Sequence, residues 1–183
     1  GKLAGHVSRD STAIVARERA VKKEHPKIEA ELKRKRGRPK KGGVRPPKEL
    51  MRIELQPGRS LAENLADLPM ACGIGTKKNS KGRREHWVGY KLHADVVDGD
   101  IPVSMIITSA SVHDSQVAIP LAQMTSPRVT NLYDLMDAAY DAAGLWKHSA
   151  GMEHVPIIDK NPRRKDEPPM APAIKARYGS RTS

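Results

Sequence analysis

The chain lacks several features that secreted and membrane proteins need. Its 183 residues include a single cysteine, Cys72, and no phenylalanine, and aromatic residues make up only 3%. A lone cysteine excludes an internal disulfide and any zinc site built on a pair of cysteines, which favours a reducing compartment. No apolar run approaches the ~20 residues of a membrane-spanning helix. These absences predict a cytoplasmic protein with no membrane partner.

Acidic residues are scarce beside basic ones. The sequence has 33 Lys and Arg against 21 Asp and Glu, a formal charge of +12, so nucleic acid is the first partner to consider. Nine cations and no acid lie from Lys33 to Lys48, and five more lie from Lys77 to Arg84. By contrast, residues 92–141 carry seven aspartates and one base. That acidic block would repel DNA unless metal ions neutralise some of its carboxylates.

The first 86 residues predict a strand, a helix and an insertion. Residues 1–35 would form the first strand and helix of a core, with Asp10 at the corner between them as N-cap of a helix that runs to about Lys23. Residues 36–86, rich in Gly, Pro and Lys, predict a basic and disordered insertion with at best a short helix near residues 61–68.

Residues 87–183 predict the remainder of an α/β core. Apolar residues alternate from Trp87 to Val96, which indicates a half-buried strand, and Asp98-Gly99 is a strong hairpin turn. The more continuously apolar residues 102–108 predict a returning strand in a central position. A helix start at 113–115, a strand at 129–136, a helix from 141 to about 149 and a strand at 155–159 follow. This order predicts a mixed sheet flanked by helices.

Two aspartates are candidate metal ligands. Asp10 and Asp137 each follow a predicted strand, where an α/β sheet presents its site. Two carboxylates held there suit a centre of two Mg²⁺ ions. An N-cap is the commoner role of such an aspartate, so the spacing alone leaves both roles open.

A short basic motif is a candidate DNA-binding element. Residues 35–40, Lys-Arg-Gly-Arg-Pro-Lys, resemble the core of an AT-hook, in which Arg36 and Arg38 would enter an A·T-rich minor groove beside Lys40 and Lys41. A solvated basic linker is an equally supported alternative. The scattered histidines, among them His93 and His113, have no metal-ligand spacing and predict core or surface residues, and Trp87 and Trp146 predict packing residues.

Three passages carry a resemblance to a known family. They are His6-Val-Ser-Arg-Asp10-Ser-Thr-Ala-Ile14; Gly89-Tyr-Lys-Leu-His-Ala-Asp95 through Ile101-Pro-Val-Ser to Thr108-Ser-Ala-Ser-Val-His-Asp114-Ser; and Leu132-Tyr-Asp-Leu-Met-Asp137-Ala-Ala-Tyr140-Asp141. In order and content they resemble the DDE transposases of bacterial insertion sequences, whose catalytic core has a ribonuclease H-like fold.

The resemblance implies a function and a set of site residues. Asp10 and Asp137 match the first two catalytic aspartates, which would ligate two Mg²⁺ or Mn²⁺ ions during cleavage and joining of DNA. The implied partner is double-stranded DNA, both transposon ends and target, and a homodimer is the assembly considered for the full-length protein.

The third carboxylate of the family is a glutamate in the pattern Tyr, two residues, Arg, three residues, Glu. Tyr178 and Arg181 match the start of this pattern and would contact phosphate near the cleavage site, but the glutamate would fall two residues past Ser183. We therefore expect a chain truncated before its third carboxylate and inactive alone. A non-catalytic DNA-binding remnant of a transposase, and a metal-dependent nuclease of the same fold, are the alternatives.

Overall fold

A computed structural model describes residues 2–21, 49–78 and 81–161. The strands are β1 (Lys2–Val15), β2 (Gly73–Lys78), β3 (Arg84–Val97), β4 (Ile101–Ser109), β5 (Val129–Met136) and β6 (Val155–Ile158). The helices are α1 (Arg52–Leu55), α2 (Leu61–Ala66), α3 (Ala118–Thr125) and α4 (Ala143–Gly151), with short 3-10 turns at 56–58, 114–116 and 138–140.

The strands form one mixed sheet in the order β2-β3-β1-β5-β6, with β4 also paired to β3. Strand β3 is antiparallel to β1, β2 and β4, whereas β5 is parallel to both β1 and β6. Helices lie between the strands in the sequence and pack against the sheet. The predicted α/β fold, a ribonuclease H-like mixed sheet flanked by helices, is confirmed.

Strand β1 is longer than predicted. Residues 10–15, expected to begin a helix, continue the strand and pair with β3 as far as Val15 opposite Gly89. The helix expected to reach Lys23 is not formed in the part of it that the structure describes, up to Val21. A ladder of backbone hydrogen bonds with β3, together with the β-branched residues of this stretch, outweighs the single bond of an N-cap.

The β3–β4 hairpin turns where Asp98-Gly99 predicted it. The carboxylate of Asp98 accepts a hydrogen bond from the Gly5 amide (2.7 Å) and pairs with His6 Nδ1 (2.6 Å), which ties the turn to β1. The predicted central position of β4 is wrong. This strand pairs with β3 alone and lies at an edge. Its apolar residues are not all buried, as a central strand would require, because they alternate between the two faces of the sheet.

The segment predicted as an irregular insertion is partly ordered. The predicted helix near residues 61–68 is α2, which begins with a capping box: Ser60 Oγ accepts from the Glu63 amide (3.3 Å), and the Glu63 carboxylate accepts from the Ser60 amide (2.8 Å). Gln56 Nε2 donates to the Gln116 carbonyl (2.6 Å) and anchors this segment to the core. Strand β2 was not predicted, since two glycines and two lysines conceal its pattern.

Among the described residues, the hydrophobic core lies on one face of the sheet. One cluster joins α3 and α4 to Met136 and Ile158, and a second joins α2 and α3 to Ile106. We call this side, which includes Arg9 and Asp95, the covered face. Successive residues of a strand point to opposite faces, so the residues that alternate with these form the other side, which we call the open face. It includes Asp10, Ile14, Leu92, Met105 and Ile107.

Candidate catalytic site

Asp10 and Asp137 lie next to each other on neighbouring strands. The parallel pairing of β1 with β5 ends with Arg9 opposite Met136, and the next residue on each chain segment is one of the two aspartates. Neighbouring strands are ~4.8 Å apart, so the register brings the two backbones together. Arg9 and Met136 are buried in the covered face, and alternation therefore directs both carboxylates to the open face.

The two aspartates differ in their position along the strand. Asp137 follows β5 directly, as predicted. Asp10 does not follow its strand, because β1 continues to Val15 and places Asp10 within the ladder opposite Ala94 of β3. Backbone pairing with β3, and not a strand-to-helix corner, therefore positions Asp10.

Both carboxylates are exposed, and each uses one oxygen for a local bond. Asp10 Oδ1 accepts from the Ser11 amide (2.6 Å), and Asp137 Oδ1 accepts from the Ala139 amide (2.9 Å) as the N-cap of the turn at 138–140. The second oxygen of each carboxylate accepts no hydrogen bond from the described residues. The cap and ligand roles, left open by the sequence, are thus compatible at Asp137.

A further carboxylate, Asp159, lies beside them. Asp159 follows β6, and its amide donates to the Met136 carbonyl (3.2 Å). Partial burial raises the pKa of Asp137, and the negative charges of Asp10, Asp114 and Asp159 raise this pKa further. Asp159 is not among the site residues predicted from the sequence, although it follows its strand just as Asp137 does.

A buried ion pair holds the strands behind the site. Arg9 Nε and Nη2 donate to the two oxygens of Asp95 (2.7 and 2.8 Å), and Thr125 Oγ1 donates to the same carboxylate (2.6 Å). Burial alone would lower the pKa of Arg9, but the charge and hydrogen bonds of Asp95 more than offset this, and the pKa is raised. Since Arg9 precedes Asp10, the pair fixes β1 at the site. Local sequence patterns do not predict this pair, because its two residues are 86 positions apart.

A second polar cluster supports the residue after Asp10. The Asp114 carboxylate accepts from Ser11 Oγ and from Lys91 Nζ, both at 2.9 Å. His93 Nε2 lies 2.9 Å from Thr108 Oγ1, and burial lowers the pKa of His93 to about 4. The side chain is therefore neutral near pH 7 and lies in the core, one of the two locations predicted for the histidines.

The segment after Asp137 also packs into the core. Tyr140 is buried, and burial raises the pKa of its hydroxyl, which has no hydrogen-bond partner among the described residues. Trp146 is buried, as predicted for a packing residue, and its Nε1 donates to Asp141 Oδ1 (3.1 Å). Asp141, expected to cap the helix, precedes its N-cap Ala142.

The remaining predicted site residues fall outside the described residues. They are Arg36, Arg38, Lys40, Lys41, Tyr178 and Arg181. Within 2–21, 49–78 and 81–161, no three His, Cys, Asp or Glu side chains are grouped closely enough to hold a metal ion. No helix in these ranges is long and apolar enough to cross a bilayer.

Comparison with known proteins identifies one family. The model of the transposase DDE domain matches residues 10–177, so the matched region begins at Asp10 and includes Asp137. No curated protein and no solved structure gives a match.

Proposed function

Because the chain belongs to the transposase DDE domain family, we propose that it is the catalytic core of an insertion-sequence transposase, which cleaves DNA strands and joins them to a target. Membership supports a function in DNA transposition and, in general, phosphoryl transfer on DNA. The observation that carries the proposal is the pairing of Arg9 with Met136, because it places Asp10 beside Asp137 on the open face.

The two aspartates fit a divalent cation. Mg²⁺ and Mn²⁺ prefer oxygen ligands, and each aspartate has an oxygen that no described residue occupies. Neighbouring negative charge contributes to the raised pKa of Asp137, and a cation would relieve this repulsion. In the complete site Asp10 and Asp137 would hold two ions, which when bound activate a water or 3′-hydroxyl and stabilise the leaving oxygen.

Residues outside the metal site would hold the two carboxylates and the DNA in position. The Arg9–Asp95 pair keeps β1 in place, and the substrate phosphate approaches from the open face because Asp10 and Asp137 face that side. We propose that the basic motif at 35–40 holds DNA, with Lys41 beside it, and that Tyr178 and Arg181 contact phosphate near the cleavage site. A homodimer and a cytoplasmic location stay predictions.

A non-catalytic DNA-binding remnant is the second candidate. It is favoured by one observation: within the described ranges no three His, Cys, Asp or Glu side chains, those of Asp10, Asp137 and Asp159 included, are grouped closely enough to hold a metal ion. Strand transfer to a new target would separate a transposase from a nuclease of the same fold. The inactivity of the 183 residues alone also stays a prediction, and nicking of supercoiled plasmid with Mn²⁺ tests it.

Binding of Mn²⁺ to the chain itself tests the proposed ligands. Asp10→Asn and Asp137→Asn should each weaken binding about tenfold or more, because each removes an anionic ligand. Asp100→Asn is the matched control, since Asp100 is an exposed carboxylate in the β3–β4 turn. The readout is electron paramagnetic resonance of free Mn²⁺ at pH 7. Equal binding by all three variants would place the site elsewhere.

Cleavage is tested in a version of the protein that includes the family's glutamate helix. Asp10→Asn and Asp137→Asn should abolish Mg²⁺-dependent strand cleavage and leave the affinity for duplex DNA unchanged. Asp100→Asn should retain both. Cleavage by Asp10→Asn or Asp137→Asn would contradict the proposed function. If the extended wild-type protein also binds DNA without cleaving it, the result would favour a non-catalytic DNA-binding remnant.

A further inference from the structure

Strands β2 and β3 extend beyond the rest of the sheet as a hairpin, which we call the arm (residues 73–78 and 81–89). Strand β1 pairs with β3 only from Gly89 inward, and β4 only from Tyr90 inward. From Gly89 out to Arg84 the ladder is formed with β2. At ~3.4 Å per residue, the arm extends about 17 Å past the body of the sheet.

The base of the arm is tightly packed. Gly89 has φ 149°, and a Cβ on it would overlap the Ile14 carbonyl oxygen, so only glycine allows β1 to approach this closely. Gly75 leaves room for the Trp87 ring on the neighbouring strand, and Trp87 Nε1 donates to the Tyr90 carbonyl (3.2 Å). The arm is therefore anchored to the sheet in a defined orientation.

The two sides of the arm differ in how their charges are paired. On one side Lys77 lies opposite Glu85, an attractive cross-strand pair. On the other side Lys78 lies opposite Arg84. Both side chains are exposed, and neither has a hydrogen bond or an ion pair among the described residues. Like charges directly opposite each other destabilise a strand pair. An external anion would remove this repulsion.

The Lys78–Arg84 pair lies on the open-face side. Ala94, which pairs with Asp10, has the same parity along β3 as Arg84. Arg84 and Ala94 are ten residues apart along β3, which is about 34 Å at the usual rise per residue. This distance equals the length of one turn of B-DNA. A duplex lying along this side could reach both the arm and the carboxylates.

We infer that the arm binds the phosphate backbone of duplex DNA through Lys78 and Arg84, about one helical turn from Asp10. Duplex DNA fits because it carries phosphates along its whole length, so one duplex can present phosphates both to the arm and to the site. The inference rests on the proposed function, since the bound duplex is taken as the substrate of the transposase.

The test measures binding of the full 183-residue chain to a fluorescent 30-base-pair duplex between 50 and 200 mM salt. Lys78→Gln/Arg84→Gln removes two phosphate contacts, so the slope of log affinity against log salt should become less steep by about 1.8. Over this fourfold range, wild-type binding should then weaken about 12-fold more than that of the variant. Lys78→Arg/Arg84→Lys keeps the charges and should retain the wild-type slope.

The matched control is Arg128→Gln/Lys147→Gln, which removes the same charge from exposed positions away from the arm and should leave the slope unchanged. Lys77→Gln tests which side of the arm faces the DNA. Because Lys77 lies on the side opposite Lys78, Lys77→Gln should change the slope less than Lys78→Gln does. If the Lys78→Gln/Arg84→Gln chain loses its native circular dichroism, the single variants replace it, each with an expected change of about 0.9.

Three results would overturn the inference or a part of it. Equal slopes for the arm variant and the Arg128–Lys147 control would remove the arm from the DNA-binding surface and leave the proposed function standing. Weak, salt-insensitive binding by the wild-type chain would overturn both proposals. Equal effects of Lys77→Gln and Lys78→Gln would overturn the assignment to the open-face side.

Discussion

The pKa of the Asp137 carboxyl group depends on how the strands around it are paired. Its pKa is raised by partial burial and then by the charges of Asp10, Asp114 and Asp159, which belong to other elements. Protons and cations compete for the same carboxylate. As the pH falls, metal binding by Asp137 should therefore begin to weaken at a higher pH than it would for an aspartate with the ordinary pKa.

Asp10→Asn should lower the pKa of Asp137, because loss of a nearby negative charge favours the ionised carboxylate. Asp159→Asn should act in the same direction and to a smaller extent, since the charge of Asp159 raises this pKa less than that of Asp10 does. Carboxyl ¹³C chemical shifts followed from pH 2 to 8 give the pKa directly. Asp100→Asn serves as the control. An unchanged pKa in Asp10→Asn would show that the two aspartates are not neighbours.

At the scale of elements, the Arg9–Asp95 pair joins β1 to β3, and Thr125 joins α3 to the same carboxylate. The side chains of Arg9 and Asp95 are 4% and 0% exposed. Removing one partner of such a pair leaves a charge buried without compensation, whereas an exposed pair contributes little.

Asp95→Asn should therefore lower the free energy of unfolding by about 3–5 kcal/mol. Asp98→Asn, which alters the exposed pair with His6, should cost less than about 1 kcal/mol. Urea denaturation of both variants measures the difference. Similar costs for the two would mean that the buried pair does not hold β1 against β3.

At the scale of the whole molecule, the described residues cover the two faces of the sheet unequally. Met105 and Ile107 on the open face are 54% and 47% exposed, whereas Ile106 between them is 6% exposed on the covered face. Ile14 and Ile157 are also exposed on the open face. Apolar side chains grouped in this way favour association or aggregation.

Met105→Gln/Ile107→Thr should reduce binding of a hydrophobic dye and slow aggregation, with a change in the free energy of unfolding below about 1 kcal/mol. Ile106→Thr is the control and should cost about 2 kcal/mol or more, because it places a hydroxyl in the core. Dye fluorescence, light scattering and urea denaturation distinguish the two. A loss of stability in the double variant equal to that of Ile106→Thr would show that the open face is packed in solution.

The sequence by itself determined the features that depend on neighbouring residues. Period-two alternation predicted β3, and the Asp98-Gly99 pair predicted its hairpin. The short helix near residues 61–68 was also predicted, and Ser60 and Glu63 cap it. Asp137 follows its strand as expected. Three motifs also led to the family that the comparison then identified. Each of these signals lies within a few residues, where local conformational preference and turn chemistry act.

Only the tertiary structure decided which distant segments meet. Pairing with β3 and β5 keeps Asp10 inside β1 and sets it beside Asp137, the same register brings in Asp159, and a single partner leaves β4 at the edge. The Arg9–Asp95 pair and the side of the arm that carries Lys78 follow from the same ladders. The physical reason is that strand pairing is cooperative between segments far apart in sequence, and a shift of one residue in register would reverse every side chain.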